Sequence, residues 1–288
     1  MTTPPRRWVS VFLWFAAVVL MLGIGSYQRH TGPTYPARGT VEANGKELTY
    51  ALLRSATTGT DARIEFPDPG PEVTGILHWK RFGTADPWSS RTLVHRPGDF
   101  YTDLPSQPPA GKLEYWLELR TPTSNVRIPD DEAVVIRFKG DVPAAALIPH
   151  ILFMFVGVVF GLRTGMEAIR NGPGIRWMAW TTFALLCVGG LALGPVVQLY
   201  AFGEAWTGVP FGWDLTDNKT LLMAVAWLAG TLGLGFRSRV GPWRRRILLA
   251  ACAVMMAVYL IPHSMHGSTL DYSKVDQGVD PSEAIGQQ

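Results

Sequence analysis

Residues 8–27 read WVSVFLWFAAVVLMLGIGSY, a charge-free stretch that directly follows Arg6 and Arg7. At 1.5 Å per residue, a helix of this length reaches about 30 Å, the thickness of the hydrocarbon core of a bilayer. A secretory signal peptide would have a shorter apolar core and a small-x-small cleavage site, which Gly25-Ser26-Tyr27 does not supply. The stretch therefore predicts an uncleaved N-terminal membrane anchor.

The second half of the chain contains further apolar stretches of similar length. They cover residues 142–162, 177–200, 220–236 and 247–261. A composition of 47% hydrophobic and 17% charged residues, concentrated in this way, excludes a soluble globular protein. We therefore predict a membrane α-helical bundle with five transmembrane helices. The last stretch is short, so a buried or re-entrant segment is the alternative at that position.

Arginines at the ends of these stretches predict the topology. Basic residues next to membrane spans stay in the cytoplasm. We therefore expect an N-terminus inside, in a prokaryotic cytoplasmic (inner) membrane, with residues 28–141, the loop 201–219 and the C-terminal tail outside. Ten arginines carry this prediction, opposed by Glu167 alone: Arg6, Arg7, Arg163, Arg170, Arg176, Arg237, Arg239, Arg244, Arg245 and Arg246.

Residues 28–141 are polar, with short alternating runs separated by glycine and proline. Turn signals include Asn44-Gly45, PDPG at residues 67–70 and PPAG at residues 108–111. Short runs at this spacing indicate an antiparallel β-sandwich. The predicted strands are residues 40–43, 47–53, 62–66, 75–81, 91–95, 99–103, 113–119 and 133–138.

Residues 104–119, LPSQPPAGKLEYWLEL, resemble the late-strand region of immunoglobulin-like and fibronectin type III domains. In those domains a proline-glycine corner leads into a strand that carries an inward tyrosine. The resemblance implies an external all-β immunoglobulin-like sandwich, inserted between the first two spans, with Tyr115 as the inward tyrosine.

Three of the six histidines fall at the predicted outer end of the helices. His150 begins the second apolar stretch, His263 ends the fifth, and His266 comes three residues later. Opposite chain directions bring these positions to one membrane face. The loop between the third and fourth stretches opens onto the same face and adds Trp206, Trp213 and Asp214.

Two interpretations of this outer cluster remain open. Neutral imidazoles are ligands for haem b or a transition metal, and a neighbouring carboxylate would orient them. In the structural alternative, the tryptophans form an interfacial belt, Asp214 or Asp217 caps a helix, Lys219 snorkels, and the histidines lie where helices leave the membrane.

The loop also resembles part of a known family. Gly203-Glu-Ala-Trp206, Gly212-Trp213-Asp214 and Trp227-Leu228 are similar to the tryptophan-rich external loop of haem-handling cytochrome c biogenesis proteins. In this chain six residues separate Trp206 from Trp213, and fewer spans are predicted than in that family. The resemblance implies that His150 and His263 ligate haem, with Trp206, Trp213 and Asp214 at its edge.

Other classes of function have less support. No predicted span carries a central charged residue, which disfavours a pump or channel. Cys187 and Cys252 lie in apolar stretches, which argues against disulfides and cysteine zinc sites. A net charge of +3 does not indicate binding to nucleic acid.

His78 and His95 are interpreted as ordinary strand or surface histidines. No catalytic motif is present in the sequence, which argues against an enzyme.

The sequence thus predicts an anchor at residues 1–27, an external β-domain at 28–141, a four-helix transmembrane domain at 142–262, and an external polar tail at 263–288 with a disordered end. We predict an integral membrane subunit, in contact with lipid, whose external surfaces mediate assembly with a membrane or periplasmic protein partner. The alternative is a haem- or metal-binding membrane protein that uses the outer-face histidines.

Overall fold

The computed structural model describes residues 7–234, 240–262 and 267–286. The chain divides into two compact units. The helical unit comprises the described parts of residues 1–32, 142–200 and 204–267. The β unit comprises the described parts of residues 33–141, 201–203 and 268–288.

The predicted apolar stretches lie in helical segments, apart from residues 142–143 and 261, which flank helices, and residues 235–236, which lie outside the described chain. A π-helical segment, Cys187–Leu193, joins the helix Ile175–Leu186 to the helix Gly194–Phe202 and is rich in small residues. Asn171, which has a left-handed φ of 56° and is followed by glycine and proline, ends the helix Ala144–Arg170. The helices are α1 (Arg7–Thr31), α2 (Ala144–Arg170), α3 (Ile175–Leu186), α4 (Gly194–Phe202), α5 (Leu215–Leu234) and α6 (Pro242–Leu260).

Within the described chain, three helical segments are long and apolar enough to cross a membrane: α1, α2 and the continuous segment Ile175–Phe202. The sequence predicted five. The two others fall short because α5 begins with Leu-Thr-Asp-Asn-Lys and α6 with Pro-Trp-Arg-Arg-Arg. Their polar first turns shorten the apolar part of each helix. Length and composition thus support three of the five predicted spans.

All of the long helices contribute to one hydrophobic core. Ala17 of α1, Val158 of α2, Ala179 of α3, Trp227 of α5 and Met255 of α6 are buried together in it. The helices approach closely: a Cβ added at Gly161 would lie 2.5 Å from the Met255 sulfur. Small residues at such positions allow dense packing between helices.

Polar contacts at one end of the helical unit join the start of α6 to the end of α2. Arg245 Nη1 lies 3.4 Å from the Ala168 carbonyl oxygen. In the same region, at the start of α1, Ser10 Oγ lies 3.5 Å from Arg163 of α2. We call this the arginine end.

Contacts at the opposite end join the end of α6 to α1 and α5. The Gln28 amide donates to the Tyr259 carbonyl. The Lys219 ammonium donates to the Ile261 carbonyl at 2.8 Å. Together with the arginine end, these contacts show that α1 and α6 run in the same direction and that α2 and α5 run against them.

The β unit contains three sheets that share one core, with a further short strand pair in the C-terminal segment. The strands are β1 (Ala37–Ala43), β2 (Lys46–Leu52), β3 (Ser55–Thr57), β4 (Ala62–Pro67), β5 (Thr74–Arg81), β6 (Ser89–Thr92), β7 (Val94–Arg96), β8 (Asp99–Leu104), β9 (Lys112–Arg120), β10 (Asn125–Ile128), β11 (Val134–Lys139), β12 (Thr269–Leu270) and β13 (Ile285–Gly286). A β1–β2 hairpin and a three-stranded sheet in the order β4-β8-β7 pack with a larger sheet in the order β3-β11-β9-β5-β6, in which β10 also pairs with β9.

The structure corrects two details of the predicted strands. The run 91–95 is divided at buried Leu93, because β6 pairs with β5 whereas β7 pairs with β8 in another sheet. The chain thus passes between sheets at this residue. The predicted all-antiparallel arrangement is also incomplete, since β3 pairs with β11 in parallel. Almost the whole unit connects these two strands, so no hairpin fixes their relative direction.

The inward tyrosine is found where the sequence predicted it. Tyr115 is fully buried in the core, and its hydroxyl donates to the Leu53 carbonyl at 2.7 Å. Desolvation raises the pKa of this phenol well above its usual value. The side chain therefore stays neutral and satisfies a buried backbone acceptor.

The C-terminal segment is folded as part of the β unit, whereas the sequence predicted a polar tail with a disordered end. Its helix α7 (Tyr272–Asp276) carries Asp276, which accepts from Arg81 at 2.6 and 2.9 Å. The Tyr272 hydroxyl oxygen accepts a hydrogen bond from the Lys112 backbone N–H at 3.0 Å. These long-range bonds, rather than hydrophobic periodicity, order the segment, which is why a pattern search along the sequence misses it.

Candidate functional site

His150, the first residue of the predicted outer cluster, is half-buried in α2. Its Nδ1 lies 2.9 Å from the carbonyl oxygen of Gly189 in the π-helical segment. A carbonyl oxygen only accepts, so Nδ1 carries the proton. In the neutral ring, Nε2 then presents a lone pair, which is the arrangement a metal or haem ligand requires.

The loop before α5 is held by carboxylates. Asp214 is buried, and its Oδ1 accepts from the backbone N–H groups of Thr216 at 2.7 Å and Asp217 at 3.3 Å. Asp214 therefore caps α5, as the structural alternative expected. Asp217 in turn accepts from the Thr207 backbone N–H at 2.7 Å. Within the described residues, both carboxylates thus order the loop and the start of α5.

The two tryptophans of this loop lie in different surroundings. Trp206 donates through Nε1 to the Val209 carbonyl at 3.2 Å. Trp213 is 80% exposed. An exposed indole of this kind suits an interfacial belt as well as a haem edge.

The structural alternative proposed that Lys219 snorkels to the surface, and the structure corrects this. Lys219 is buried, and its ammonium donates to the carbonyls of Ile261 at 2.8 Å and Pro262 at 3.1 Å. These carbonyls lie at the C-terminal end of α6, where backbone acceptors have no partner within the helix. The cation thus stabilises that helix end.

The remaining predicted ligands, His263 and His266, lie outside the described residues. Among residues 7–234, 240–262 and 267–286, no group of three His, Cys, Asp or Glu side chains is placed to hold a metal ion. A site built from His150, His263 and His266 therefore remains a prediction.

A second cluster lies on the outer side of the large β-sheet. Along β9, buried Tyr115, Leu117 and Leu119 alternate with partly exposed Trp116 and Glu118. Because successive side chains of a strand point to opposite faces, Trp116 and Glu118 face away from the core.

The strands beside β9 place further side chains on this outer side. His78 of β5 lies directly opposite Trp116, and Arg127 of β10 lies opposite Glu118. Directly opposed residues share a face of the sheet. We call the group His78, Trp88, Trp116, Glu118 and Arg127 the tryptophan-histidine face.

The tryptophan-histidine face is organised around Trp116. The imidazole of His78 stacks on its ring with centroids 4.0 Å apart and an interplanar angle of 14°. The Arg127 guanidinium carbon lies 4.7 Å from the same ring centroid. Trp88, which precedes β6 and is 43% exposed, meets it edge-on at 6.3 Å. The central indole is thus held from both neighbouring strands.

A carboxylate fixes the histidine of this stack. His78 Nε2 lies 3.0 Å from Glu118 Oε2, and Arg120 Nε lies 2.9 Å from the other oxygen. Hydrogen bonds, chiefly from Arg120 and to a smaller extent from His78, lower the pKa of Glu118. The ionised carboxylate therefore orients the imidazole against Trp116 at neutral pH.

The chemistry of this face suits recognition. It offers stacked aromatic area, a guanidinium and an edge tryptophan, the residue types that dominate protein interfaces.

Sequence reasoning interpreted His78 as an ordinary strand or surface histidine and did not single out Trp116. The alternation of residues 113–119, LEYWLEL, marks Trp116 as outward-facing once Tyr115 is assigned to the core. The pairing of His78 with Trp116 requires the register of two strands distant in sequence, which alternation alone does not give.

No protein-family model and no curated protein sequence matches this chain.

Proposed function

We propose that this protein is a multi-pass membrane protein that holds its β unit outside the cytoplasm, where the tryptophan-histidine face docks a protein partner. The observation that carries the proposal is the ordered stack of His78, Trp116 and Arg127 on the outer side of the sheet. Large aromatic and arginine side chains that are already oriented lose little conformational freedom on binding.

Placement in a membrane is supported by the three apolar helices and by the arginine end. Arg163 and Arg170 near the end of α2 share one end of the helical unit with Arg245 near the start of α6. A basic end on an apolar bundle is the arrangement typical of the cytoplasmic side. We propose that this is the inner membrane of a prokaryote, with the N-terminus inside.

We further propose that α5 and α6 cross the membrane with the other helices. Both pack into the same core as α1 and α2, and α6 has contacts at both ends of the unit. Although their first turns are polar, α5 has 20 residues and α6 has 19, so each is close to 30 Å long. The polar turns would lie at the two interfaces.

The C-terminal segment supports an odd total number of crossings. Residues 268–286 fold within the same unit as residues 33–141. They therefore lie on the same side of the membrane, and an even number of crossings separates residue 141 from residue 268. Four crossings by α2, α3–α4, α5 and α6 meet this condition, as do two.

For the β unit, we propose an immunoglobulin-like sandwich. Buried Tyr115 and a core shared between separate sheets support it. The parallel β3–β11 pair is a departure from the simplest form of that fold. The fold by itself does not assign a function, so the proposed docking role rests on the tryptophan-histidine face.

Co-purification from membranes in mild detergent tests the docking proposal. We expect the full chain to retain one protein partner at a constant ratio through affinity and size-exclusion steps. A chain that is inserted, folded and yet recovered alone after mild chemical crosslinking in cells would contradict it.

A second candidate function is haem or metal binding, because the bond from His150 Nδ1 to Gly189 leaves Nε2 available as a ligand. If this function holds, protein made with excess haem should show a visible absorption band that His150→Ala and His263→Ala both remove. The Trp213→Ala variant tests the proposed haem edge in the same spectrum. Protein without a band under these conditions, and without metal by elemental analysis, would contradict this candidate.

A further inference from the structure

The arginine end contains a charge cluster built around a buried ion pair. Arg163 and Glu167 form an ion pair of 2.6 Å, with side chains only 4% and 3% exposed. Arg170 lies 3.9 Å from the same carboxylate. Arg245 reaches the backbone of the neighbouring residue, Ala168. Two guanidinium groups thus share the carboxylate of Glu167, and a third lies against the backbone of the next residue.

Some hydrogen-bond donors of this cluster are unsatisfied among the described residues. Within the described part of the chain, the Nε atoms of Arg163 and Arg245 are buried and have no acceptor. An unmet buried donor on a charged group costs free energy, so an acceptor is expected there. The Glu167 carboxylate supplies one negative charge for the two guanidinium groups of Arg163 and Arg170. Among the described residues of this cluster, positive charge therefore exceeds negative charge, and two buried donors have no acceptor.

The surroundings indicate where the missing acceptor comes from. Trp177 at the start of α3 and Trp243 at the start of α6 are 55% and 68% exposed, and each is adjacent to an arginine in the sequence. Tryptophans exposed at a helix end lie at the level of lipid headgroups. A guanidinium matches the paired oxygens of a phosphate. Basic recesses between helices at the cytoplasmic side bind anionic lipid headgroups.

We propose that the arginine end binds the phosphate of an anionic phospholipid headgroup through Arg170 and Arg245, with Arg163 held behind them by Glu167. The inference rests on the proposed membrane placement. A free phosphate ion has the same oxygen chemistry, but it would not use the exposed Trp177 and Trp243 beside the site. The lipid is the source to which the proposal commits.

The test measures thermal unfolding of the full chain in neutral detergent. Added phosphatidylglycerol should raise Tm by roughly 2–4 °C relative to the same amount of phosphatidylcholine. Arg170→Gln and Arg245→Gln should each remove at least half of that shift. Arg246→Gln, an exposed neighbour, should keep it. Native mass spectrometry of the unaltered chain should also detect a bound lipid of phosphatidylglycerol mass.

Each other outcome has a defined meaning. An equal shift with phosphatidylcholine, or with inorganic phosphate alone, overturns the lipid assignment, as does a shift that both variants retain. If Arg245→Gln fails to fold, Arg245→Lys provides the test, since it keeps the charge and loses the paired donors. Recovery of the chain from the soluble fraction would instead refute the membrane placement, so failures of the two proposals are distinguishable.

Discussion

Replacing Glu167 by alanine is expected to destabilise the helical unit by about 3–5 kcal/mol, because Arg163 would remain buried without its counter-charge. The pair is almost fully buried, and its 2.6 Å contact joins successive turns of α2. The measurement is unfolding in mixed micelles with increasing SDS, followed by circular dichroism at helical wavelengths.

A double variant separates the value of the pair from the cost of breaking it. Arg163→Met combined with Glu167→Leu replaces both charges by apolar groups of similar size, and such exchanges are often neutral or stabilising. We expect the double variant to be more stable than Glu167→Ala. If Glu167→Ala unfolds at the same SDS fraction as the unaltered chain, the buried ion pair does not exist in the folded protein.

Replacing Trp116 by alanine is expected to weaken partner retention by about 30-fold or more, corresponding to a loss of about 2 kcal/mol or more. The reason is that His78, Arg127 and Trp88 all contact this ring, so its removal dismantles the stack. The measurement is quantitative co-purification from mild detergent, with the amount of partner expressed per chain.

Two controls make this result specific. Trp213→Ala removes another exposed tryptophan, in the helical unit, and should leave retention unchanged. Leu117→Ala alters the next residue of β9, which points into the core, and should cost about 2–5 kcal/mol of stability in the β unit. If Trp116→Ala retains the partner fully, the docking face is elsewhere. If it destabilises the β unit as much as Leu117→Ala does, the loss of partner reflects the fold and not a docking contact.

The sequence located most elements because their signals are local. Alternation along residues 113–119 and the charge-free stretches both act over a few neighbouring residues. By contrast, β3 and β10 have only three and four residues, which is too short for a recognisable alternation of apolar and polar side chains. Their strand structure depends on pairing with β11 and β9. The folded C-terminal segment depends on bonds to residues more than 150 positions away.

The candidate sites differ in how far the sequence could reveal them. The structural alternative named Asp214 or Asp217 as a helix cap, since an aspartate before an apolar run is a local signal, and Asp214 occupies the cap position. The same alternative expected Lys219 to snorkel, whereas its ammonium donates to the carbonyls of Ile261 and Pro262, which are far away in sequence. His78 was recognised on its strand, but its stack with Trp116 depends on strand register. Contacts between distant segments are the part that one sequence does not specify locally.

Alkaline phosphatase fusions test the central claim, that a membrane-embedded helical unit holds the β unit outside the cytoplasm. Fusions after residue 141 and after residue 286 should be active, because both ends of the β unit would be outside. A fusion after residue 170, at the arginine end, should be inactive at equal expression. Activity after residue 170 together with inactivity after residue 141 would contradict the account.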